Sequence, residues 1–220
     1  MLKERNYSVD TLKFICAVLV IFIHIGTPYY NYPLPLTRIA VPCFFMISGY
    51  FIFTEPDNMQ RRLLKSTRRM LWIFLWSTAL YFAYYAVTNG DWSIFTWKNT
   101  FYFLFLNQPP FGGHLWYLSA YLYVLIIMLF VNRFRLWKPC FFLVPILLLC
   151  NLIFGKYDVL IFNHNFNLIL SRNFLFMGIP YFALGCLVKK HWNALCVIKP
   201  KLIIRGVFNN YYTLLGSIPA

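Results

Sequence analysis

The chain reads as all-α, a polytopic bundle of about six transmembrane helices with a cytoplasmic N-terminus. Three observations predict this. Hydrophobic residues make up 60% of the 220 residues and charged residues only 12%, too apolar for a soluble domain of this length. Apolar runs that cross or nearly cross a bilayer recur along the sequence. Basic residues alternate between two sets of loops, as the positive-inside rule requires.

The first run, Thr11–Tyr30, is apolar from Phe14 to Ile25 and contains His24. It has the charged start of a secretory signal, but Gly26, Thr27 and Pro28 follow instead of a small-x-small cleavage site, so it is expected to stay attached. The next runs are Ile39–Phe53, Met70–Thr88, Leu115–Val131, Pro139–Phe154 and Phe174–Val188. Several fall short of the roughly 20 residues of a straight span, and flanking Tyr, Trp and Phe are expected to extend them into the interfaces. Between the third and fourth runs, Ile94–Leu106 is aromatic-rich but broken by Lys98 and Asn99. It is expected to lie along the outer interface or to re-enter. Residues 189–220 read as a basic cytoplasmic tail following a membrane domain of residues 1–188.

The net charge of +14 would suit a nucleic-acid binder, but its placement does not. With the N-terminus inside, sixteen of the twenty Lys and Arg residues fall in inside segments, among them Lys13, the Arg61–Arg69 cluster, Arg133–Lys138 and Lys189–Lys190. Outside are Arg38, Lys98, Lys156 and Arg172. A nucleic-acid partner would need these charges on a solvated domain, and none is predicted. The six cysteines form no C-x-x-C pair and no cluster with metal spacing, so they read as small hydrophobes and no metal site is expected.

Two residues of the first run point to chemistry. An ionisable side chain at membrane depth costs a few kcal/mol and is usually functional. His24 is such a residue, and Lys13 stands eleven positions before it. At about 100° per residue, eleven steps return to within about 20° of the start and climb about 16 Å. Lys13 and His24 therefore share one stripe, one at the bilayer mouth and one deep within. That geometry suits an anion held at the surface and chemistry inside. The alternatives stay open: Lys13 as a snorkelling lysine, and His24 as a packing histidine bonded to a neighbouring carbonyl. Asp10 reads as a cap of the first helix. Ser48-Gly49 reads as a close helix contact rather than a nucleophile, since no base pairs with Ser48 in sequence and no G-x-S-x-G elbow is present.

Several separated motifs carry a family resemblance. They are Asp10-Thr11-Leu12-Lys13 followed by His24; Arg38 through Tyr50, with its FFMISGY core; Lys65, Arg68 and Arg69; His114-Leu115-Trp116-Tyr117-Leu118; and Arg172-Asn173-Phe174-Leu175-Phe176 with Phe182-Ala183-Leu184-Gly185. In this order they resemble the integral-membrane acyltransferase 3 family, bacterial O-acetyltransferases of surface polysaccharides and related acceptors. The resemblance runs from about Tyr7 to Val188. It implies a multi-pass protein of the bacterial cytoplasmic (inner) membrane, with acyl-CoA (acetyl-CoA) as co-substrate, a sugar or lipid-linked glycan as acceptor, and contact with membrane lipids. Coenzyme A is not a permanently bound cofactor in this scheme.

Carried onto these positions, the resemblance makes His24 the general base. Imidazole titrates near working pH and can take the proton of an attacking hydroxyl. Lys13, Lys65, Arg68 and Arg69 become phosphate partners of coenzyme A, or, on the blander reading, topology determinants in contact with lipid headgroups. Arg38, His114, Trp116 and Arg172 become acceptor-side residues; the alternatives are an aromatic belt for Trp116, an interfacial hydrogen bond for His114 and a helix anchor for Arg172. Family members usually carry about ten helices, so a truncated, inactive remnant is one alternative expectation. A transport or substrate-sensing module is another, because the family fold also occurs fused to racemase domains.

Overall fold

The computed structural model describes residues 7–24, 37–88, 96–107, 115–155, 157, 160–161, 163 and 172–197. Among them there are helices and no strand, and three helices are long and apolar enough to cross a membrane. The protein is an all-α helical membrane protein.

Helix α1 (Tyr7–His24) runs eighteen residues without Pro or Gly. Its Asp10 lies within the first turn rather than at the start, where a carboxylate still favours the positive end of the helix dipole. Helix α2 (Ala40–Ile52) is only thirteen residues long, about 20 Å. It stops where Phe53 turns to an extended conformation. Phe45, Gly49 and Ile52 are buried at helical spacing, so α2 presents one face to the bundle centre.

Helix α3 (Pro56–Thr88) opens with proline, pre-set for the first helical turn, and with Asp57 beside the dipole. Its 33 residues extend about 50 Å, longer than the roughly 30 Å hydrocarbon core. The basic cluster expected before the third span is therefore inside this helix and continuous with the apolar half Met70–Thr88. Met59, Leu63 and Met70 form its buried face.

Helix α4 (Trp97–Leu106) is capped by Thr96, whose side chain accepts the Asn99 N–H at 3.2 Å, and ends at Asn107 in the left-handed region. Ten residues make about 15 Å, too short to cross, as the interrupted sequence led one to expect. Phe74 of α3 stacks on Phe103 of α4 at 5.9 Å.

Helix α5 (Trp116–Arg133) is the most enclosed of the three long apolar helices. Helix α6 (Trp137–Gly155) carries Pro145 and buries Cys140 and Val144. A π-helical turn (Phe174–Gly178), capped by Asn173, leads into α7 (Ile179–Lys190), and α8 (Trp192–Val197) follows. Each of the six apolar runs is thus helical where described, except at Ile39 and Phe53, which flank α2. The end of the first run, residues 25–30, lies outside the described residues, as do 198–220 of the tail.

The centre of the bundle is the crossing of α2 and α7, flanked by α5. Phe45 and Phe182 are fully buried there. Two glycines set the approach. A Cβ on Gly49 would collide with the Phe182 carbonyl oxygen, and a Cβ on Gly185 would collide with the Met46 carbonyl oxygen. The contact is reciprocal: each helix offers a glycine to the other's backbone. In an apolar solvent, helices associate through such close packing because lipid supplies no hydrophobic drive. Ser48 donates back to the Phe44 carbonyl at 2.8 Å.

Candidate functional site

The contacts sort the helix ends into two groups. At one end the tip of α2 receives three neighbours. Lys13 of α1 sits with its Nζ 4.7 Å from the Phe51 ring centroid, and Lys189 of α7 sits 4.9 Å from the Tyr50 ring. Arg62 of α3 donates Nη1 to the Phe51 carbonyl oxygen at 2.9 Å. The two rings meet edge to face at 5.4 Å, and Trp192 of α8 meets Tyr50 at 5.6 Å. Consecutive residues on a helix point about 100° apart, so Tyr50 and Phe51 can serve α7 and α1 separately.

The same end is tied by Asn132, near the end of α5. Its Nδ2 donates to Pro56 O at 3.0 Å and to Gln60 Oε1 at 2.8 Å, and its Oδ1 accepts Trp137 Nε1 at 3.2 Å. The end of α5 and the starts of α3 and α6 are thereby joined, so Arg133, Arg135 and Lys138 share the end of the bundle with Arg62, and Lys190 of α7 lies 5.6 Å from the Phe141 ring of α6. Where they are described, the segments that the charge pattern grouped as inside meet at one end of the bundle; Lys3, Arg5, Lys199, Lys201 and Arg205 lie outside the described residues.

Lys13 also pairs with Asp10 at 3.3 Å, and both side chains remain more than a third exposed. An exposed pair contributes little stability, so the ammonium is positioned more than it is sequestered. Lys65, Arg68 and Arg69 are exposed on α3. With Arg61 and Arg62 they occupy an arc of about 120°, on the far side from Met59, Leu63 and Met70. Arg68 and Arg69 stand about 9–10 Å along the helix from Arg62. The structure therefore brings Lys13 together with Arg62 and Lys189, and leaves Arg68 and Arg69 farther along the stripe. The three-way meeting was missed in the sequence because aromatic-cation contacts between helices carry no spacing signal.

At the opposite end, His24 is the last residue of α1. Helix α1 packs on α2 with Lys13 beside Phe51, so the two run antiparallel. Cys16 of α1 meets Cys43 of α2, so His24, eight residues farther along α1, falls at the end where α2 begins. That is the end carrying Arg38, which is exposed, and Thr37, which is fully buried. Trp116, half-buried, opens α5. The Tyr117 ring beside it lies 5.2 Å from Phe45 and 6.0 Å from Tyr121. Arg172, half-buried, precedes the π turn. His114 lies outside the described residues.

Two asparagines at this end were given no role from the sequence: Asn107, and Asn173, which was quoted only as part of a motif. Asn173 is buried and accepts the Phe176 N–H at 2.8 Å, fixing the π turn. Such turns recur at functional positions. Asn107 is fully buried, and its Oδ1 accepts the Phe174 N–H at 3.3 Å, which ties α4 to the π turn. Its Nδ2 has no partner among the described residues. An asparagine closing an aromatic helix was the available signal, since Asn tolerates the left-handed conformation. Among the described residues no group of three His, Cys, Asp or Glu side chains could hold a metal ion.

Chemically, the bundle offers a cationic, aromatic-lined end for an anionic group. About 16 Å away along α1, the helix ends at His24, at the end of the bundle that also carries Thr37 and Arg38.

Two curated relatives are similar to part of the chain. "Serine/alanine racemase" of Enterococcus gallinarum is 30% identical over 131 residues, 53% of this chain and 18% of the relative. "Amino-acid racemase" of Enterococcus faecalis is 30% identical over 141 residues, 54% of this chain and 18% of the relative. The matched part is thus less than a fifth of the length of these relatives. No solved structure matches the chain. The model of the acyltransferase 3 family, an acyltransferase domain, matches residues 6–209. With that match covering nearly all of its length, the protein belongs to the acyltransferase 3 family.

Proposed function

We propose that this membrane acyltransferase transfers an acyl group, acetyl in the first instance, from acyl-CoA to a hydroxyl of a cell-surface or lipid-linked sugar. It does so as a multi-pass protein of the bacterial cytoplasmic membrane with its N-terminus inside. The reading is supported above all by the polarity of α1. Lys13 joins the cationic end, and His24 closes the same helix about 16 Å away. Coenzyme A has matching polarity, with phosphates at one end and the thioester at the other end of an extended arm.

The chemistry follows from an already activated donor. The acceptor hydroxyl oxygen attacks the thioester carbonyl carbon while His24 takes its proton. The new C–O bond forms, the C–S bond breaks, and the imidazolium returns the proton to the departing thiolate of coenzyme A. Free coenzyme A and the sugar ester leave, and the base is regenerated. Lys65, Arg68 and Arg69 extend the attraction for phosphate along α3, and Arg38, Trp116, Arg172 and His114 are assigned to the acceptor side.

A transport or substrate-sensing module is the second reading, favoured by the likeness to two proteins named as amino-acid racemases. Uptake of serine or alanine into vesicles containing the protein, without acyl transfer, would establish it. For the enzyme, the test is His24→Ala. Loss of a general base costs about 10²–10⁴-fold, while removing an ionisable group eases insertion. Normal membrane levels with no transfer are expected. Retention of most of the wild-type rate would make His24 structural, and a wild-type chain that transfers no acyl group to glycan would refute the proposal itself.

A further inference from the structure

Lys13, Arg62 and Lys189 come from three different helices and converge on two consecutive aromatic residues at the tip of α2. Arg62 and Lys189 meet no carboxylate among the described residues. A ring face steadies an ammonium through its quadrupole but carries no formal negative charge. Lys13 shares its charge with Asp10, so three cations stand against one carboxylate, and the cluster keeps a net positive potential open to an anion. Beside it stands Trp192, 45% exposed, held edge to face against Tyr50. A half-open indole face next to converging cations matches a ligand with a flat base and phosphates on the same fragment.

We propose that the tip of α2 with the α7–α8 junction is a nucleotide seat. In it Trp192 and Tyr50 hold an adenine ring, and Lys13, Arg62 and Lys189 hold the adjoining phosphates. The proposal rests on the acyl-CoA reading and deepens it, since it adds Arg62, Lys189 and Trp192, which the motifs did not single out, to Lys13 and Tyr50 and assigns the five together to the adenosine end of the donor. It also gives the short helix α8 a role. Simple phosphate attraction would be served by the α3 stripe alone, and a bilayer headgroup, which also presents phosphate, has no ring for Trp192 to cover.

The experiment measures binding by calorimetry to the full chain in phosphatidylcholine nanodiscs. The probes are coenzyme A, adenosine 3′,5′-bisphosphate and 4′-phosphopantetheine. Wild type is expected to bind coenzyme A and the adenosine bisphosphate. Lys189→Gln should weaken both about tenfold, the loss typical of one charge-assisted contact. Trp192→Leu should weaken both by a similar factor while leaving 4′-phosphopantetheine unchanged. Both side chains are exposed, so the fold should survive, and a thermal melt verifies it. Should either variant fail to fold, the other decides.

Affinities within twofold of wild type in the variants that fold would overturn the seat. If Arg68→Gln and Arg69→Gln then abolish coenzyme A binding, the nucleotide lies along α3 and the acyl-CoA reading stands. If wild type binds no coenzyme A, both readings fall together. If phosphatidylglycerol in the nanodisc displaces the bisphosphate from wild type but not from Lys189→Gln, the cluster is a headgroup site and the nucleotide seat is refuted.

Discussion

Gly49→Ala is a small substitution with opposing terms that the structure can weigh. Replacing glycine by alanine within a helix gains roughly 1 kcal/mol of intrinsic propensity. At this position the new methyl would occupy the space of the Phe182 carbonyl oxygen, and the Phe182 carbonyl carbon would be within 2.9 Å. Both atoms are backbone, so no side chain can rotate away. Relief requires α2 and α7 to separate, which opens the packing around Phe45 and Phe182. Overpacking of this kind typically costs about 1–3 kcal/mol and sometimes more. With two backbone atoms in the way the cost belongs in the upper part of that range, about 2–3 kcal/mol, so the net expectation is a loss of about 1–2 kcal/mol, read as a lower midpoint in thermal or steric-trap unfolding of the detergent-solubilised protein. Gly185→Ala faces the Met46 carbonyl in the same way and should cost a similar amount. The double variant should cost less than the two together, because helices already parted by one methyl leave room for the second. A Gly49→Ala protein as stable as wild type, or more stable, would show that the helices do not approach this closely and would refute the packing argument.

Asn132→Ala should destabilise by about 2 kcal/mol, since Trp137 Nε1 and Gln60 Oε1 both lose a partner in a largely buried setting; an unchanged melting midpoint would remove Asn132 from the joint of α3, α5 and α6. Reporter tags at the N-terminus and in the 133–138 loop should appear cytoplasmic, and tags at 89–98 and 155–170 external; an external 57–69 segment would overturn the orientation and the donor-facing side with it.

Much of the architecture was legible because it rests on two signals that need no tertiary information. Apolar runs of helical length locate α1, α2, α5, α6 and α7, and the alternation of basic residues groups their ends. The Asn132 bonds and the Arg62–Phe51 contact put that grouping into three dimensions. The extent of α3 was less legible. A hydropathy reading breaks the chain at the charged cluster, whereas a helix continues wherever its hydrogen-bond ladder does, and nothing between Pro56 and Thr88 interrupts it. The charges change which solvent the helix faces without ending it.

The site was legible in part, and the division has a physical cause. Lys13 and His24 lie on one helix, so their spacing alone fixes their relation along α1. Arg62, Lys189 and Trp192 become neighbours of Lys13 only because α2 ends in two aromatic side chains that splay toward different helices. No periodicity records that. The motif residues Gly49 and Gly185 show the same dependence from the other side. Each is visible as a small residue in an apolar run, but only the crossing explains why neither tolerates a methyl. That crossing also links packing to binding. It fixes α7 against α2, and so holds Lys189 over Tyr50, two turns or less from the glycine contacts. A perturbation at Gly185 should thus reach the cationic end, although the residue touches neither Lys13 nor Arg62 in any contact described here. Coenzyme A affinity measured on Gly185→Ala separates the possibilities. A loss that tracks the fall in stability would mean that the seat is built by the crossing, and an intact affinity would mean that the tip of α2 organises itself.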